Sequence, residues 1–404
     1  MASDKTAEAA LPLTRLPGLR PFAHVFDRLS AGHLRIRMGD FVHELHGDEA
    51  GPAGELRIHR PLSLARRLAT KHHVGLAEAY LAGDWDSPDP AGLLHLLAVN
   101  EHRFRAVESN GLLHRITSLL KHWRRRNSRA GSRRNIAYHY DLGNDFYRLW
   151  LDPGMTYSAA VFEREHDTLE QAQANKYRRM LDLLDARPGQ HVLEIGCGWG
   201  GFARAAAERG LRVTGLTLST EQLAWARSAI AAAGLSDRVE LRLQDYRDLD
   251  ERFDHIVSIE MFEAVGEAYW PDYMAQLRRC LKPGGRAALQ IITIVESMFE
   301  DYKANPDFIQ QYIFPGGMLP SVERFDRAVA DAGLAVTARS FHAQDYARTL
   351  ALWHQVFLDQ ETDVRALGYD ERFMRMWRYY LAYCEAGFRD ERINVMQLAL
   401  EHAH

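Results

Sequence analysis

Long apolar runs are missing from this chain. No stretch approaches about twenty uninterrupted apolar residues, so no segment reads as a bilayer span. Cysteine is scarce. Cys197, Cys280 and Cys384 stand far apart, which argues against a disulfide framework and a clustered thiolate metal site. The histidines, the His72–His73 pair included, show no ligand spacing, so no metal is expected. Neither sign of charge dominates. Over 404 residues the formal net charge is −4, and no global field advertises a nucleic-acid partner. The opening "MASDKTAEAALPLTRLPGL" lacks the apolar centre of a secretory signal. These absences predict a protein of a reducing, cytoplasmic compartment.

The chain is long enough for two domains, and its texture changes along the way. Residues 1–20 read as a frayed tail. From Val25 to about Arg60, alternating pieces such as "HLRIRM" and "FVHELHG" predict a small sheet. From Leu62 to Trp123 the apolar period becomes helical, as in "LSLARRLATKHHVGLAEAYLAG". We therefore assign a mixed α+β domain to 21–120. The stretch "KHWRRRNSRAGSRRN", 121–135, holds Lys121, Arg124, Arg125, Arg126, Arg129, Arg133 and Arg134 among small polar residues. It reads as a linker, either a solvated hinge or a contact for anionic lipid headgroups. Aromatic interleaving is too sparse for single-stranded nucleic acid.

Residues 136–404 form the second predicted domain. Strands "HVLEIGCG", "RVTGLTLS", "VELRL", "FDHIVSI" and "GGRAALQIITI" alternate with helical segments. That alternation predicts an α/β domain with a doubly wound, mostly parallel sheet, whose ligands sit beyond the carboxyl ends of the strands.

The first of these strands runs into glycines at 196, 198, 200 and 201. A P-loop needs Lys followed by Ser or Thr after its glycines, and this loop ends "GGFA". Gly196, Gly198 and Gly201 do satisfy G-x-G-x-x-G, but Glu194 stands two residues before the first of them, where a carboxylate would repel pyrophosphate. It suits a cationic group instead, such as the ammonium of S-adenosylmethionine. After the third strand, Asp245 can accept from an adenine amino group and Tyr246 can stack on the ring. No acid ends the second strand, so Thr217 and Gln222 are left to bind the ribose hydroxyls.

The stretches "YHYDLGNDFYRLWLDPGMTYSAAVFE", "VLEIGCGWGGFA", "GLTLSTEQ", "QDYRDL", "MFEAVG" and "YIFPGGMLPS" occur in this order. Over about residues 135–395 the chain thereby resembles the cyclopropane fatty acid synthases and mycolic acid methyltransferases. The resemblance implies a Rossmann-like methyltransferase domain behind a smaller domain that engages lipid. It extends the donor pocket to Tyr157, Ser158, Leu218 and Gln244. It also implies methyl transfer from S-adenosylmethionine to a double bond of an unsaturated phospholipid acyl chain. The protein would then act as a peripheral protein on the inner face of the cell membrane, and homodimers occur among such proteins. The carbocation so formed needs a dry, apolar, aromatic slot, for which Tyr157, Phe162, Phe262, Tyr312 and Phe314 are available.

Closing a cyclopropane then requires a base, which the family supplies as a bound bicarbonate. It is held by an amide in "YSCA", a glutamate in "MFEH", a histidine after the next strand and a tyrosine. Here the glutamate matches Glu263 and the tyrosine Tyr346. The cysteine position is Ala159, whose amide survives, whereas the histidine position is Gln290, which donates but cannot share a proton. Ala264 follows the glutamate. Glu260 replaces a small residue and adds a second carboxylate, which would repel an anion or raise a pKa. These departures leave methyl transfer intact and favour a methylated olefin over a cyclopropane.

Plainer readings stand beside these. Cys197, Trp199 and Trp225 suit packing, Glu263 could cap a helix, and the aromatic "RFMRMWRYYLAYCEAGF" suits a core helix better than a membrane contact. Two further functions remain: methylation of a soluble metabolite, and lipid binding without catalysis.

Overall fold

The computed structural model describes residues 29–104 and 142–403. The tail 1–20 and the basic stretch 121–135 lie outside the described residues. The chain divides into two compact units. One takes Met1–Ile116 with Gly368–Asp390, the other Thr117–Leu367 with Glu391–His404. The predicted 136–404 domain is thus corrected: residues 368–390 belong to the first unit.

In that unit β1 (Ala31–Met38), β2 (Phe41–His46), β3 (Glu49–Ile58) and β4 (Trp85–Asp86) form a sheet in the order β2-β1-β3-β4. Leu34, Ile36, Leu56 and Ile58 alternate onto its buried face. Helix Pro90–Val99 starts on Asp89, whose carboxylate accepts from Gly92 N at 2.9 Å, with proline at the first turn. It lies so close to β3 that a Cβ on Gly54 would come within 2.9 Å of Leu93 Cα.

Helix Glu371–Arg389 supplies the rest of this core with Met374, Trp377, Tyr380 and Leu381. Its aromatic face is therefore packed inside the protein. Arg375 is buried there. It donates to the carbonyls of Tyr80 and, at 2.8 Å, Trp85, pairs with Asp86 at 3.2 Å, and lies over the Tyr80 ring. On the hairpin, Glu44 faces His33 and His46 at 3.7 and 4.0 Å. Arg35 already neutralises that carboxylate at 2.6 Å, and an adjacent guanidinium opposes a metal ion.

The second unit is built on a seven-stranded sheet. In chain order its strands are β5 (His191–Ile195), β6 (Arg212–Thr217), β7 (Val239–Leu243), β8 (Phe253–Ile259), β9 (Leu281–Ile294), β10 (Leu334–Phe341) and β11 (Ile393–His402). The spatial order is β10-β11-β9-β8-β5-β6-β7. β5 to β9 run parallel, as the alternating pattern predicted, and β10 and β11 add an antiparallel edge that the sequence reading lacked. The strand order reverses between β5 and β8, which opens a crevice at their carboxyl ends. Both faces are apolar: Val192, Phe202, Ala206 and Ile230 lie on one, and Leu193, Tyr273, Leu277 and Leu289 on the other. Among the described residues no helix is long and apolar enough to cross a membrane.

Candidate active site

The loop leaving β5 has positive φ at Gly196 (83°), Gly198 (49°) and Gly200 (88°). These angles suit glycine, and they turn the chain so that helix Gly201–Glu208 begins at once. A Cβ on Gly198 would meet nothing within 4 Å, so this backbone edge is open to a ligand. Gly201 serves differently, since a side chain there would collide with the Tyr177 hydroxyl.

Glu194 is the penultimate residue of the strand, buried, with Oε2 lacking any hydrogen-bond partner. Burial pushes its carboxyl well above the ordinary range, and the Lys176 ammonium opposes that. An unsatisfied buried acceptor beside an open glycine turn fits the ammonium end of S-adenosylmethionine.

The structure brings Thr217 and Gln222 together. Thr217 Oγ1 and Gln222 Oε1 lie 3.1 Å apart, and Ser219 N donates to Thr217 Oγ1. Both side chains are buried, and this pairing leaves the amide nitrogen of Gln222 as the donor. Leu218 is half-buried beside them, and Gln244 N bonds the Thr217 carbonyl at 3.1 Å.

Asp245 accepts from Arg247 Nε at 2.9 Å and Nη2 at 2.6 Å, which fixes the orientation of its carboxylate and leaves acceptor capacity on Oδ2. Tyr246 is held next to it, edge-on to Tyr273 at 5.2 Å.

The other half of the crevice lies past β8 and β9. Glu260 follows β8 directly with φ of 51°, a left-handed conformation that glycine adopts freely and that costs a side-chain-bearing residue about 1 kcal/mol. Its carboxylate accepts from Ala159 N at 2.8 Å, Gln290 Nε2 at 2.7 Å and Tyr346 Oη at 3.1 Å. These are three of the groups that the resemblance assigns to bicarbonate. With all three engaged by Glu260, the residues present do not fit a second anion at that place.

Glu263 sits on a single turn, Phe262–Ala264, and accepts from Ile292 N, while its Oε2 lacks a partner. It is not a helix cap. Burial and the neighbouring Glu260 raise its pKa to about 8. The "FPGGMLPS" stretch supports it from behind, with Met318 N donating to the Glu263 carbonyl at 2.8 Å.

Lys176 was missed from sequence. It is fully buried, and desolvation lowers its pKa to about 8 against the pull of Glu260, Asp152 and Glu194. Its Nζ bonds Ser158 Oγ at 2.7 Å, and Gln173 Nε2 bonds the Ser158 carbonyl at 2.9 Å. One helix, Leu169–Leu184, thus fixes residue 158 and presents the next amide, Ala159 N, to Glu260. The signal was available: Gln173 and Lys176 fall on the same face as Ala172, Met180 and Leu184.

Tyr157 packs among Tyr147, Trp150 and Trp353, each ring 5.4 Å away, and Trp353 meets Tyr346 at 6.1 Å. Phe262 is corrected: it lies in the core against Trp270, Tyr273 and Phe325. Phe162 lies under Arg348 and Tyr312 stacks on Phe308. Cys197 is buried packing, and Trp199 contacts Tyr147 while its Nε1 donates to Asn144 Oδ1 at 2.7 Å.

A parallel sheet reversing at an acid-bearing glycine loop, with an unpartnered buried acid, defines an S-adenosylmethionine-dependent methyltransferase. Coclaurine N-methyltransferase, 19% identical with a TM-score of 0.61 over 81% of this chain and 99% of that one, shares the fold. The model of the mycolic acid cyclopropane synthetase family matches residues 127–398, and the chain belongs to that family.

Relatives span nearly the whole chain. Tuberculostearic acid methyltransferase UfaA1 of Mycobacterium tuberculosis is 41% identical over 92% of this chain and 89% of its own. Cyclopropane-fatty-acyl-phospholipid synthase of Escherichia coli is 35% identical over 85% and 87%. The solved cyclopropane synthase MmaA2 of M. tuberculosis, 35% identical, superposes with a TM-score of 0.63 over 66% of this chain and 97% of that one.

Proposed function

We propose that this protein methylates a double bond of an unsaturated phospholipid acyl chain and releases a methylated olefin, with Glu260 as the base. When bound, S-adenosylmethionine supplies an electrophilic methyl group, and its transfer to an alkene leaves a carbocation on the acyl chain. The glycine turn, Glu194, Thr217 and Gln222 would hold the donor. Tyr157, Trp353 and Tyr346 offer aromatic faces that exclude water and tolerate positive charge.

The observation that carries the reading is the threefold anchoring of Glu260 by Ala159, Gln290 and Tyr346. Burial raises the Glu260 pKa above the ordinary carboxylate value, and these donors, with Lys176 nearby, oppose that rise. The proton leaves a carbon flanking the cation and goes to a carboxylate oxygen of Glu260, while the C–H electron pair forms the new π bond. A carboxylate tied to the backbone cannot follow the transferred methyl as a small anion can, which favours the olefin over ring closure. The greater identity to a methyltransferase than to a cyclopropane-fatty-acyl-phospholipid synthase agrees.

Labelled donor and vesicles of unsaturated phospholipid test the reading. A product that gains one labelled carbon and still takes up hydrogen supports it; a saturated cyclopropane overturns it. Glu260→Gly should open the anion seat at a residue already in a glycine conformation, making turnover depend on added bicarbonate. A soluble acceptor methylated as fast as vesicle lipid would point to a metabolite substrate instead.

Access to an acyl chain calls for contact with the bilayer, and the basic residues Lys121 to Arg134 suit an anionic surface at about 1 kcal/mol per exposed charge. Vesicle binding should weaken as salt rises and as these residues become Gln. Binding indifferent to both would return the segment to a plain linker.

A further inference from the structure

β9 and β11 pair antiparallel with Gln290 directly opposite Gln397, and both side chains are buried. Gln397 Nε2 donates to Gln290 Oε1 at 2.8 Å. Gln290 Nε2 in turn donates to Glu260 Oε1 at 2.7 Å and to the Ala159 carbonyl at 3.2 Å. At the far end Arg179 Nε donates to Gln397 Oε1 at 3.2 Å, and Arg179 Nη2 reaches Ser340 Oγ at 3.4 Å.

An amide can normally point either way, since its oxygen and nitrogen differ little in shape. Here the donor inventory leaves one choice. A guanidinium only donates, so Gln397 must turn its oxygen to Arg179 and its NH2 to Gln290. Gln290 must then offer its oxygen to Gln397 and its NH2 to Glu260. The dipoles of both amides run the same way, from a cation at one end to a carboxylate at the other, and each polarises the next.

We propose that Arg179 and Gln397 are positioning residues that lock Gln290 as a donor and so hold Glu260 ionised for proton removal. This rests on the reading of Glu260 as the base. The chain of amides makes the Oε1 side of the seat selective for an acceptor, because a proton on Oε1 would meet only N–H groups; a protonated carboxyl would have to carry its proton on Oε2, toward the Tyr346 hydroxyl. It also gives a reason for glutamine at 290. A ring that shares protons with solvent could present either an N–H or a bare nitrogen to Glu260, whereas this amide presents only N–H.

Gln397→Leu removes the donor that orients Gln290, and Arg179→Met removes the cation at which the chain of amides begins. Each should lower kcat about tenfold, the size of one hydrogen bond to a charged group, and shift the acid limb of the kcat profile to higher pH. Donor affinity measured by calorimetry should not change. Arg179→Lys, still a donor-only cation, should recover most of the rate. The other charged or titratable groups facing Glu260 are Lys176, Glu263 and Tyr346, and all are intact in these variants.

If Glu260→Gln abolishes turnover but Gln397→Leu and Arg179→Met leave both kcat and the acid limb unchanged, the positioning role is overturned and the base assignment stands. If Glu260→Gln keeps full activity, the base assignment falls, and the positioning role with it. Should Gln397→Leu fail to fold, Arg179→Met and Arg179→Lys carry the test alone.

Discussion

Glu194, buried, and Glu260, half-buried, stand at the carboxyl ends of adjacent parallel strands, and the chain treats them in opposite ways. Glu194 keeps an oxygen that nothing in the protein satisfies. Glu260 is given three donors and a strained backbone to meet them. A buried acceptor left unpaired costs about 1–3 kcal/mol, a cost that a bound ammonium would remove. A buried acceptor satisfied by its own chain needs nothing further, and its charge is available for chemistry. The donor half of the crevice is therefore completed by its ligand, and the base half is complete beforehand.

The largest effect should come from undoing the second half. Glu260→Gln keeps the shape and removes the base, so kcat should fall on the order of 10³-fold, the range for general base catalysis, with donor affinity unchanged by calorimetry. A change in affinity instead of rate would merge the two halves. Next comes the donor side. Gly198→Val puts a branched side chain at φ of 49° into the open space of the turn, and donor affinity should fall by more than about 10²-fold. Unchanged affinity would remove the glycine turn from the pocket.

Tyr346→Phe deletes one of the three donors to Glu260 and should lower kcat about tenfold without touching donor affinity. The smallest effect is on stability. The Glu263 carboxyl titrates near 8 when folded against an ordinary value of 4.5. The folded protein thus holds that proton more tightly, and stability is lost as pH rises from about 4.5 through 8. Glu263→Gln should melt a few degrees above the parent at pH 8, and the difference should close near pH 4. An equal gain at both pH values would mean that charge is not its source.

The five parallel strands and the glycine turn were legible because a buried parallel sheet writes near-continuous apolar runs, and the turn imposes its own glycines. Glu194 and Thr217 stand at strand ends, and Gln222 opens the helix that follows β6. The Arg247 partner of Asp245 was not legible, because it sits two residues away in a turn whose geometry no periodicity encodes. Phe262 was misread for a similar reason: the single turn Phe262–Ala264 points residue 262 into the core and residue 263 into the crevice. The reach of Glu260 to Ala159 spans 101 positions along the chain. Lys176 went unremarked, although its place on the apolar stripe of its helix marked it. The antiparallel edge strands β10 and β11 went unseen, and with them the partner of Gln290.

Helix Glu371–Arg389 has a consequence for the order in which this protein can be made. The first unit needs Arg375 to engage the carbonyls of Tyr80 and Trp85, and it needs Met374, Trp377 and Leu381 to fill its core. On the ribosome those residues emerge after nearly all of the second unit. Residues 29–104 must wait with part of their core uncovered until residues 371–389 have emerged. A gene cut at residue 120, or a stop codon before 390, would release that segment unfinished and hand it to proteases.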